Sequence, residues 1–249
     1  MINLKRLIKK RYVIALLTAV LFFGGIAVLN KTVTTSQGVD FKVSRIPLPL
    51  YLKILNFYDR HFSLQWLENR ITNKLEAKED KVFRLFEWTH STIKPQPNTL
   101  PIMDDHVWNV YVRRYGISEN FNDLFSTLCN YAGVESYFDT IYNDDRSKKM
   151  SFTLVSIDNK DWVVFDPYNG VYFKTTAGNW ATISDIRNGD WKLSKIVESD
   201  ISESNYKFYL EKLSRIERVA NKRASIQSPL NRLKHQINKW FSGEKPLLE

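Results

Sequence analysis

The chain has 249 residues, of which 43% are hydrophobic and 14% aromatic, so it can bury a core and is neither disordered nor collagen-like. A single cysteine, Cys129, excludes an internal disulfide and zinc sites built on several cysteine ligands. The formal net charge is +9, but six cations without acidic neighbours lie in the first 31 residues, which leaves about +3 for the rest. We therefore expect no nucleic-acid partner.

The N-terminus is expected to enter a membrane. Behind a basic run that ends at Arg11, Val13 to Leu29 is an uncharged stretch that spans roughly 25 Å as a helix, enough to cross a bilayer. The preceding cations predict a single-pass protein with a cytoplasmic N-terminus and a periplasmic or extracellular body. The alternative is a cleaved signal peptide, since Gly25-Ile26-Ala27 offers small residues at a suitable cleavage site.

Helical spacing of apolar residues dominates the first half of the exported part. Lys31 to Gly38 is rich in Thr and Ser and is predicted to be a spacer. The following segments are predicted to be helical: Leu50 to Leu75 as one broken or two short helices that bury Leu52, Leu55, Phe62, Trp66, Leu67 and Ile71; Asp80 to Ile93; His106 to Tyr115, ended by Gly116; and Phe121 to Ala132, closed by Gly133.

Short strands are predicted after residue 133, because the apolar pattern changes to β-branched and aromatic runs between turn residues. The predicted strands are Ser136 to Tyr142, Phe152 to Ile157, Trp162 to Phe165 and Val171 to Phe173. Helices followed by an antiparallel strand set indicate an α+β fold. We divide the chain into an anchor (1–31), a linker with N-terminal helices (32–79), a core domain (80–200) and C-terminal helices (201–249).

Two segments carry a resemblance to a known family. Arg114 to Val134 runs from Arg-Tyr-Gly-Ile-Ser through a helix to Ala-Gly-Val, and Ser151 to Pro167 contains a Trp before Asp-Pro. This pattern resembles the transglutaminase-like (papain-like thiol) superfamily. In that family an Arg, a Gly and a nucleophilic Cys open the helix, a His begins a strand, and a Trp precedes an Asp-Pro on the next strand.

The resemblance implies that the catalytic triad is degenerate. Ser118 stands at the Cys position and Ser151 at the His position, and only Asp166 retains the family's residue. A serine hydroxyl depends on a neighbouring base more than a thiol does, and Ser151 is no base. Structural roles are open for the same residues, because Ser118 is also a good helix N-cap and Asp166 also suits a turn. We name Asn120, Trp162 and Tyr168 as candidates for lining a binding cleft.

No other residue is expected to restore the chemistry. Cys129 lies about three turns along the same helix, some 16 Å from its start. The histidines are His61, His90, His106 and His235, and His106 precedes the helix rather than lying on the strand before Asp166. Asp104-Asp105-His106 alone is a weak metal pattern. We therefore expect neither a metal site nor a cofactor.

The C-terminal region lies outside the resemblance. Tyr206 to Lys222 is predicted to be a docking helix. Pro229 to Phe241 is predicted to be a basic amphipathic helix, which could lie on a membrane surface or pack on its own domain or a protein partner.

The preferred functional hypothesis is a membrane-anchored, exported pseudoenzyme that binds or scaffolds a peptide, glycan or membrane partner. The resemblance suggests a cell-envelope or surface-polysaccharide pathway. The alternatives are an active hydrolase or acyltransferase with Ser118 as its nucleophile, and a structural subunit of an envelope complex. If the cleft is an open surface, Ser118→Cys with Ser151→His should cost little stability, within about 0.5 kcal/mol for exchanges outside the packed core.

Overall fold

A computed structural model describes residues 4–37, 41, 44–102, 106–157 and 161–213 of the chain. Its architecture is α+β, as predicted. The helices are α1 (Leu4–Leu29), α2 (Leu50–Ile71), α3 (Lys78–Thr92), α4 (Val107–Arg113), α5 (Ser118–Tyr131), α6 (Ile183–Arg187) and α7 (Glu203–Leu213). The strands are β1 (Thr32–Gln37), β2 (Ser44–Pro49), β3 (Lys94–Pro95), β4 (Tyr115–Gly116), β5 (Glu135–Tyr142), β6 (Lys149–Ser156), β7 (Val163–Asp166), β8 (Val171–Lys174) and β9 (Lys192–Lys195).

The first helix contains the apolar stretch seen in the sequence. Within α1, Arg11–Leu29 is a window of 19 residues with a mean hydropathy of 2.5, and none of it is buried against the rest of the protein. This helix is long and apolar enough to cross a bilayer, as either a single-pass anchor or a signal sequence.

A hairpin replaces the predicted spacer. β1 pairs with β2 in an antiparallel ribbon, with Thr32 opposite Pro49 and Gln37 opposite Ser44. The prediction of a spacer for Lys31 to Gly38 is therefore wrong. Thr and Ser residues suggested a flexible segment, but the β-branched side chains of this run also suit a strand. The partner strand that decides between the two is β2, which the apolar pattern did not predict.

The segment from Leu50 forms one unbroken helix, α2, rather than a broken one or two short ones. Two of the residues predicted to be buried are confirmed, since Leu67 is buried and Ile71 packs on the core. The others are exposed: Leu52, Leu55, Phe62 and Trp66. Two apolar stripes run along this helix, and the sequence pattern alone does not say which of them meets the domain.

A five-stranded antiparallel sheet forms the centre of the domain. Strands β5 to β9 follow one another in sequence order, and the four strands predicted from the sequence are all present. β9 and α6 were not predicted, because they are short and contain few apolar residues. The sheet therefore has one more strand than the apolar pattern revealed.

Each face of the sheet packs against helices. On one face the rings of Phe86 in α3 and Phe125 in α5 pack on Phe165 of β7, with centroids 5.2 and 5.5 Å away. On the other face Tyr206 of α7 packs on Phe173, with ring centroids 5.3 Å apart. Tyr206, Phe86, Phe125, Phe165 and Phe173 are all fully buried. Burial of large aromatic side chains on both faces is the main source of stability here.

The end of α4 differs from the prediction. The helix stops at Arg113, and the residue with left-handed backbone geometry is Arg114, with φ 62°, rather than Gly116. Gly116 has a different role, since a Cβ atom there would lie 2.7 Å from Cβ of Asn120 in the first turn of α5. Only glycine allows the chain to pass this close to the start of that helix.

The C-terminal helix is described in part. α7 begins at Glu203 and is described to Leu213, so the remainder of the helix predicted for Tyr206 to Lys222 lies outside the described residues. The helix predicted for Pro229 to Phe241 and the pair Asp104-Asp105 also lie outside them. The domain boundaries proposed from the sequence remain predictions.

We expect Gly170→Ala to destabilise the domain more than Gly178→Ala. Both glycines have positive φ, 65° and 89°, so an alanine at either position carries backbone strain of about 1–2 kcal/mol. A Cβ at Gly170 would also lie 2.9 Å from Ile196 Cγ1 and 3.0 Å from the His90 ring, whereas Gly178 has nothing within 4 Å. This crowding adds about 1–3 kcal/mol. Urea unfolding of the full chain in detergent, followed by tryptophan fluorescence, measures both losses. Equal losses would contradict the packing around Gly170.

Candidate functional site

The start of α5 lies where the family resemblance puts the nucleophile. Ser118 is the first residue of the helix and is half-buried, and the part of the chain that the structure describes offers its hydroxyl no hydrogen bond. The predicted N-cap role is wrong, because the N-cap position belongs to Ile117 and the Asn120 side chain caps this end. Asn120 Oδ1 accepts from the Ile117 N–H at 3.1 Å. A hydroxyl at a helix start is close to the positive end of the helix dipole, but activating it still requires a base.

Ser151, at the histidine position, is part of a packed hydrogen-bonded layer. It lies on β6 with 1% of its surface exposed, and its Oγ is 2.8 Å from Oγ1 of Thr140, directly opposite on β5. An imidazole would not fit here without displacing neighbours, since forcing larger groups into a packed interior costs about 1–3 kcal/mol. The premise of an open surface at Ser151 is therefore wrong, and we now expect Ser151→His to lose stability.

A single buried amide connects the helix start to this strand. Asn122 Nδ2 donates to the carbonyl oxygen of Ser118 at 2.9 Å and to that of Ser151 at 3.3 Å. Its Oδ1 accepts from Oγ1 of Thr153 at 2.8 Å, and Asn122 is fully buried. The two positions equivalent to Cys and His are thus neighbours, as predicted, but they are joined through backbone carbonyls. An ion pair between Glu119 and Lys149 also connects the first turn of α5 to β6.

Asp166 is buried and fully engaged in hydrogen bonds. Its carboxylate accepts from the N–H groups of Tyr168 and Asn169 at 3.1 and 3.2 Å, from Asn169 Nδ2 at 2.7 Å and from the Tyr206 hydroxyl at 2.8 Å. Burial raises the pKa of Asp166, although these hydrogen bonds act in the opposite direction. The same burial, together with the charge of Asp166, raises the pKa of Tyr206, which therefore remains a donor.

The carboxylate of Asp166 is directed to the α7 side of the sheet. Thr153 on β6 pairs with Phe165 on β7, and both side chains face α5, Thr153 through its bonds to Asn122 and Phe165 through its contact with Phe125. Successive side chains of a strand point to opposite faces, so the next residue, Asp166, faces α7, where Tyr206 meets it. Asp166 lies on the strand next to Ser151, as expected, but no described hydrogen bond joins it to Ser151 or Ser118.

The three predicted cleft residues do not form one group. Tyr168 packs edge-on against Phe121 of α5, with ring centroids 5.0 Å apart, so it lies near the start of that helix. Asn120 lies in the first turn of the same helix. Trp162 packs on Tyr137, at 4.9 Å, within the cluster on the α7 side of the sheet. Tyr168 and Asn120 therefore share the α5 side of the sheet, from which Trp162 is separated.

The described histidines are occupied elsewhere. Nδ1 of His106 accepts from the N–H of Trp108 and caps α4, and Nδ1 of His61 lies 2.8 Å from the Tyr131 hydroxyl. His90 contacts the turn after Asp166, which its position in the sequence did not predict. Its Nδ1 lies 3.1 Å from the carbonyl oxygen of Pro167, which only accepts, so this nitrogen carries the proton. Only the three-dimensional structure reveals this contact, since 77 residues separate the pair.

Cys129 is not a substitute nucleophile. It is fully buried in α5, and burial, with a contribution from the charge of Glu68, raises the pKa of its thiol well above the usual value. A thiol in this state is protonated at neutral pH and out of reach of a substrate. Among the described residues there is also no group of three or more His, Cys, Asp or Glu side chains that could hold a metal ion.

Comparison with known proteins agrees with the arrangement of these elements. Residues 65–167, which extend from the C-terminal part of α2 to the residue after Asp166, match the family model of the transglutaminase-like superfamily. These residues form a transglutaminase-like domain. No curated protein matches the chain.

Solved structures resemble parts of the chain at low identity. A proposed cysteine protease from Cytophaga hutchinsonii shares 19% identity over 47% of this chain and 42% of its own, with a TM-score of 0.38. A proposed protease from Parabacteroides distasonis shares 14% over 60% of this chain and 30% of its own, with a TM-score of 0.35. A TGase shares 12% over 54% and 43%, with a TM-score of 0.36. The chain covers less than half the length of each of these proteins.

We expect Tyr206→Phe to destabilise the transglutaminase-like domain in a pH-dependent way. Removing a hydrogen bond to a buried carboxylate costs about 1.5–3 kcal/mol at neutral pH. Burial raises the pKa of Asp166 in the folded state, so the protonated form favours folding. This contribution is present below the unfolded pKa of about 3.9 and is lost as the pH rises through the raised folded pKa. The Tyr206 bond opposes this by stabilising the ionised form. The difference between wild type and variant should therefore shrink as the pH falls through the folded pKa of Asp166.

Urea unfolding of the full chain in detergent between pH 4 and 8 measures this difference. Tyr209→Phe is the matched control, since Tyr209 lies on the same helix, is half-buried and its hydroxyl makes no hydrogen bond within the described residues. It should change stability by less than about 0.5 kcal/mol. A pH-independent loss in Tyr206→Phe would mean that the hydroxyl does not act on the ionised carboxylate.

Proposed function

We propose that the chain is a membrane-anchored, exported transglutaminase-like pseudoenzyme that works by binding or scaffolding. The observation that carries this proposal is the state of the three triad positions. Ser151 is buried against Thr140, Asp166 is held by Tyr206 and its own turn, and the Ser118 hydroxyl makes no hydrogen bond within the described residues. Of the three positions that would perform acyl transfer in an active relative, Ser151 and Asp166 are engaged in structural hydrogen bonds, and Ser118 makes none with its hydroxyl.

Chemical reasoning supports inactivity beyond the missing histidine. A serine nucleophile must give up its proton to a base within hydrogen-bond reach, and the base must in turn be oriented by a third group. Asn122, the side chain that lies between Ser118 and Ser151, is a neutral amide that is already donating to both carbonyls. An amide is not a base, so this contact gives the proton of the Ser118 hydroxyl no acceptor.

The anchor and the retained architecture support a binding role. An apolar helix of 19 residues precedes the domain and could hold it at a membrane, with the body outside the cytoplasm according to the positive-inside rule. The start of α5, with Tyr168 packed beside it, keeps a half-buried polar surface that a peptide or glycan could contact. A role in a cell-envelope or surface-polysaccharide pathway is the corresponding proposal for the whole protein.

The proposal predicts that the purified full chain has no acyl-transfer activity that depends on Ser118. Ester hydrolysis, peptide amide hydrolysis and glutamine–amine transamidation should each be no faster with wild type than with Ser118→Ala. Treatment with iodoacetamide should not change these rates, because Cys129 is buried. Ser91→Ala, an exchange at an exposed serine on α3, is the matched control.

One result would contradict the proposal of a pseudoenzyme. Turnover that persists in Ser91→Ala and disappears in Ser118→Ala would establish the serine hydrolase or acyltransferase and overturn the pseudoenzyme. In that case the pH dependence of kcat/KM would give the pKa of the base that accepts the proton of Ser118.

A further inference from the structure

α2 carries a stripe of large exposed apolar side chains that the domain does not cover. Tyr51, Leu55, Tyr58, Phe62 and Trp66, which we call the aromatic stripe, recur at intervals of four, three, four and four residues and so line one face of the helix. Each is between 39% and 60% exposed. The opposite face of the helix buries Leu64 and Leu67 in the core. An exposed apolar face of this kind indicates an interaction surface.

The composition of the stripe favours a lipid surface. It contains two tyrosines and a tryptophan, whose rings combine an apolar body with a polar tip and are enriched where membranes meet water. Arg70 lies over the Trp66 ring, with its Cζ atom 5.1 Å from the centroid, so a cation borders the end of the stripe, where it can reach lipid headgroups. At about 1.5 Å per residue the stripe extends for roughly 22 Å along the helix.

The connection to α1 determines where the stripe begins. The N–H of Leu50, the first residue of α2, donates to the carbonyl oxygen of Lys31 at 2.9 Å. The hairpin strengthens this contact, because Thr32 pairs with Pro49. The first residue of the stripe, Tyr51, is therefore held beside the end of the apolar helix at Leu29. Where α1 crosses a bilayer, that end lies at the level of the headgroups.

We propose that the aromatic stripe of α2 lies in the interface of the membrane that α1 enters, so that α2 is packed between lipid on one face and the transglutaminase-like domain on the other. The proposal rests on the membrane anchoring proposed above. It places the start of the domain directly at the membrane surface and limits the orientations that the domain can adopt. A second copy of the chain covering the same stripe is the principal alternative, and the test distinguishes the two.

The full chain reconstituted into vesicles of phosphatidylethanolamine and phosphatidylglycerol provides the test. A nitroxide is attached at Phe62→Cys, and its collisions with oxygen, which concentrates in lipid, are compared with collisions with a water-soluble nickel chelate. Wild type should remain unlabelled because its one cysteine, Cys129, is buried. Asn56→Cys, at an exposed position on the same helix but off the stripe, is the matched control, and Leu21→Cys reports on α1.

The proposal predicts that the ratio of oxygen to nickel collisions is severalfold higher for the label at position 62 than for the label at position 56. Leu55→Cys, also on the stripe, should give the same result and protects the test against a folding defect at position 62. A lipid-like signal at position 21 with a water-like signal at positions 55 and 62 would overturn the proposal and leave the anchor intact.

Two further outcomes would also overturn it. Labels at positions 55 and 62 that are shielded from both reagents and show spin–spin broadening, which falls on dilution with lipid, would assign the stripe to a second copy. A water-like signal at position 21 would contradict the anchoring itself, and the stripe proposal would fail with it.

Discussion

The attachment of α5 to the central sheet is the constraint on which the rest of the domain depends. Two amide side chains, the fully buried Asn122 and the half-buried Asn130, attach the helix to the sheet near both ends. Asn122 bonds to the Ser151 carbonyl and to Thr153 near the start of the helix, and Asn130 Nδ2 donates to the Ser136 carbonyl at 2.8 Å near its end. Because a buried amide without partners costs about 1–3 kcal/mol, the bonds of Asn122 favour a single position of the helix on the sheet.

The same attachment also determines the surroundings of Ser151. Asn122 and Thr140 occupy the hydrogen-bonding groups around Ser151, so a small hydroxyl completes the layer where the family has an imidazole. The Asp166 carboxylate accepts a hydrogen bond from Tyr206, which comes from α7 and lies outside the matched residues 65–167. This bond connects α7 to the last strand of the matched segment.

In the N-terminal half, the two faces of α2 have different surroundings. α2 uses one face to complete the core through Leu64 and Leu67 and leaves the aromatic stripe on the other. The β1–β2 hairpin ties the beginning of α2 to the end of α1. If the aromatic stripe lies on lipid as proposed, α2 cannot slide along either surface without exposing apolar side chains to water.

Much of the secondary structure could be predicted from the sequence, because it depends on local patterns. Apolar spacing predicted α3 and α5, and the alternation of β-branched and aromatic residues predicted β5 to β8. The hairpin escaped prediction because its two strands stabilise each other across a turn, and α6 and β9 because they are too short to show a period. For α2, the sequence contained both apolar stripes but no indication of which one the domain buries.

The sequence by itself determined which residues stand at the positions where the resemblance puts Cys, His and Asp, namely Ser118, Ser151 and Asp166. These are properties of residue identity and spacing. Only the tertiary structure decided that the Asp166 carboxylate turns to Tyr206, that Trp162 lies on the other side of the sheet from Ser118, and that His90 reaches Pro167. Each of these depends on strand register and on contacts between residues some 40 or more positions apart, which come together only when the chain packs.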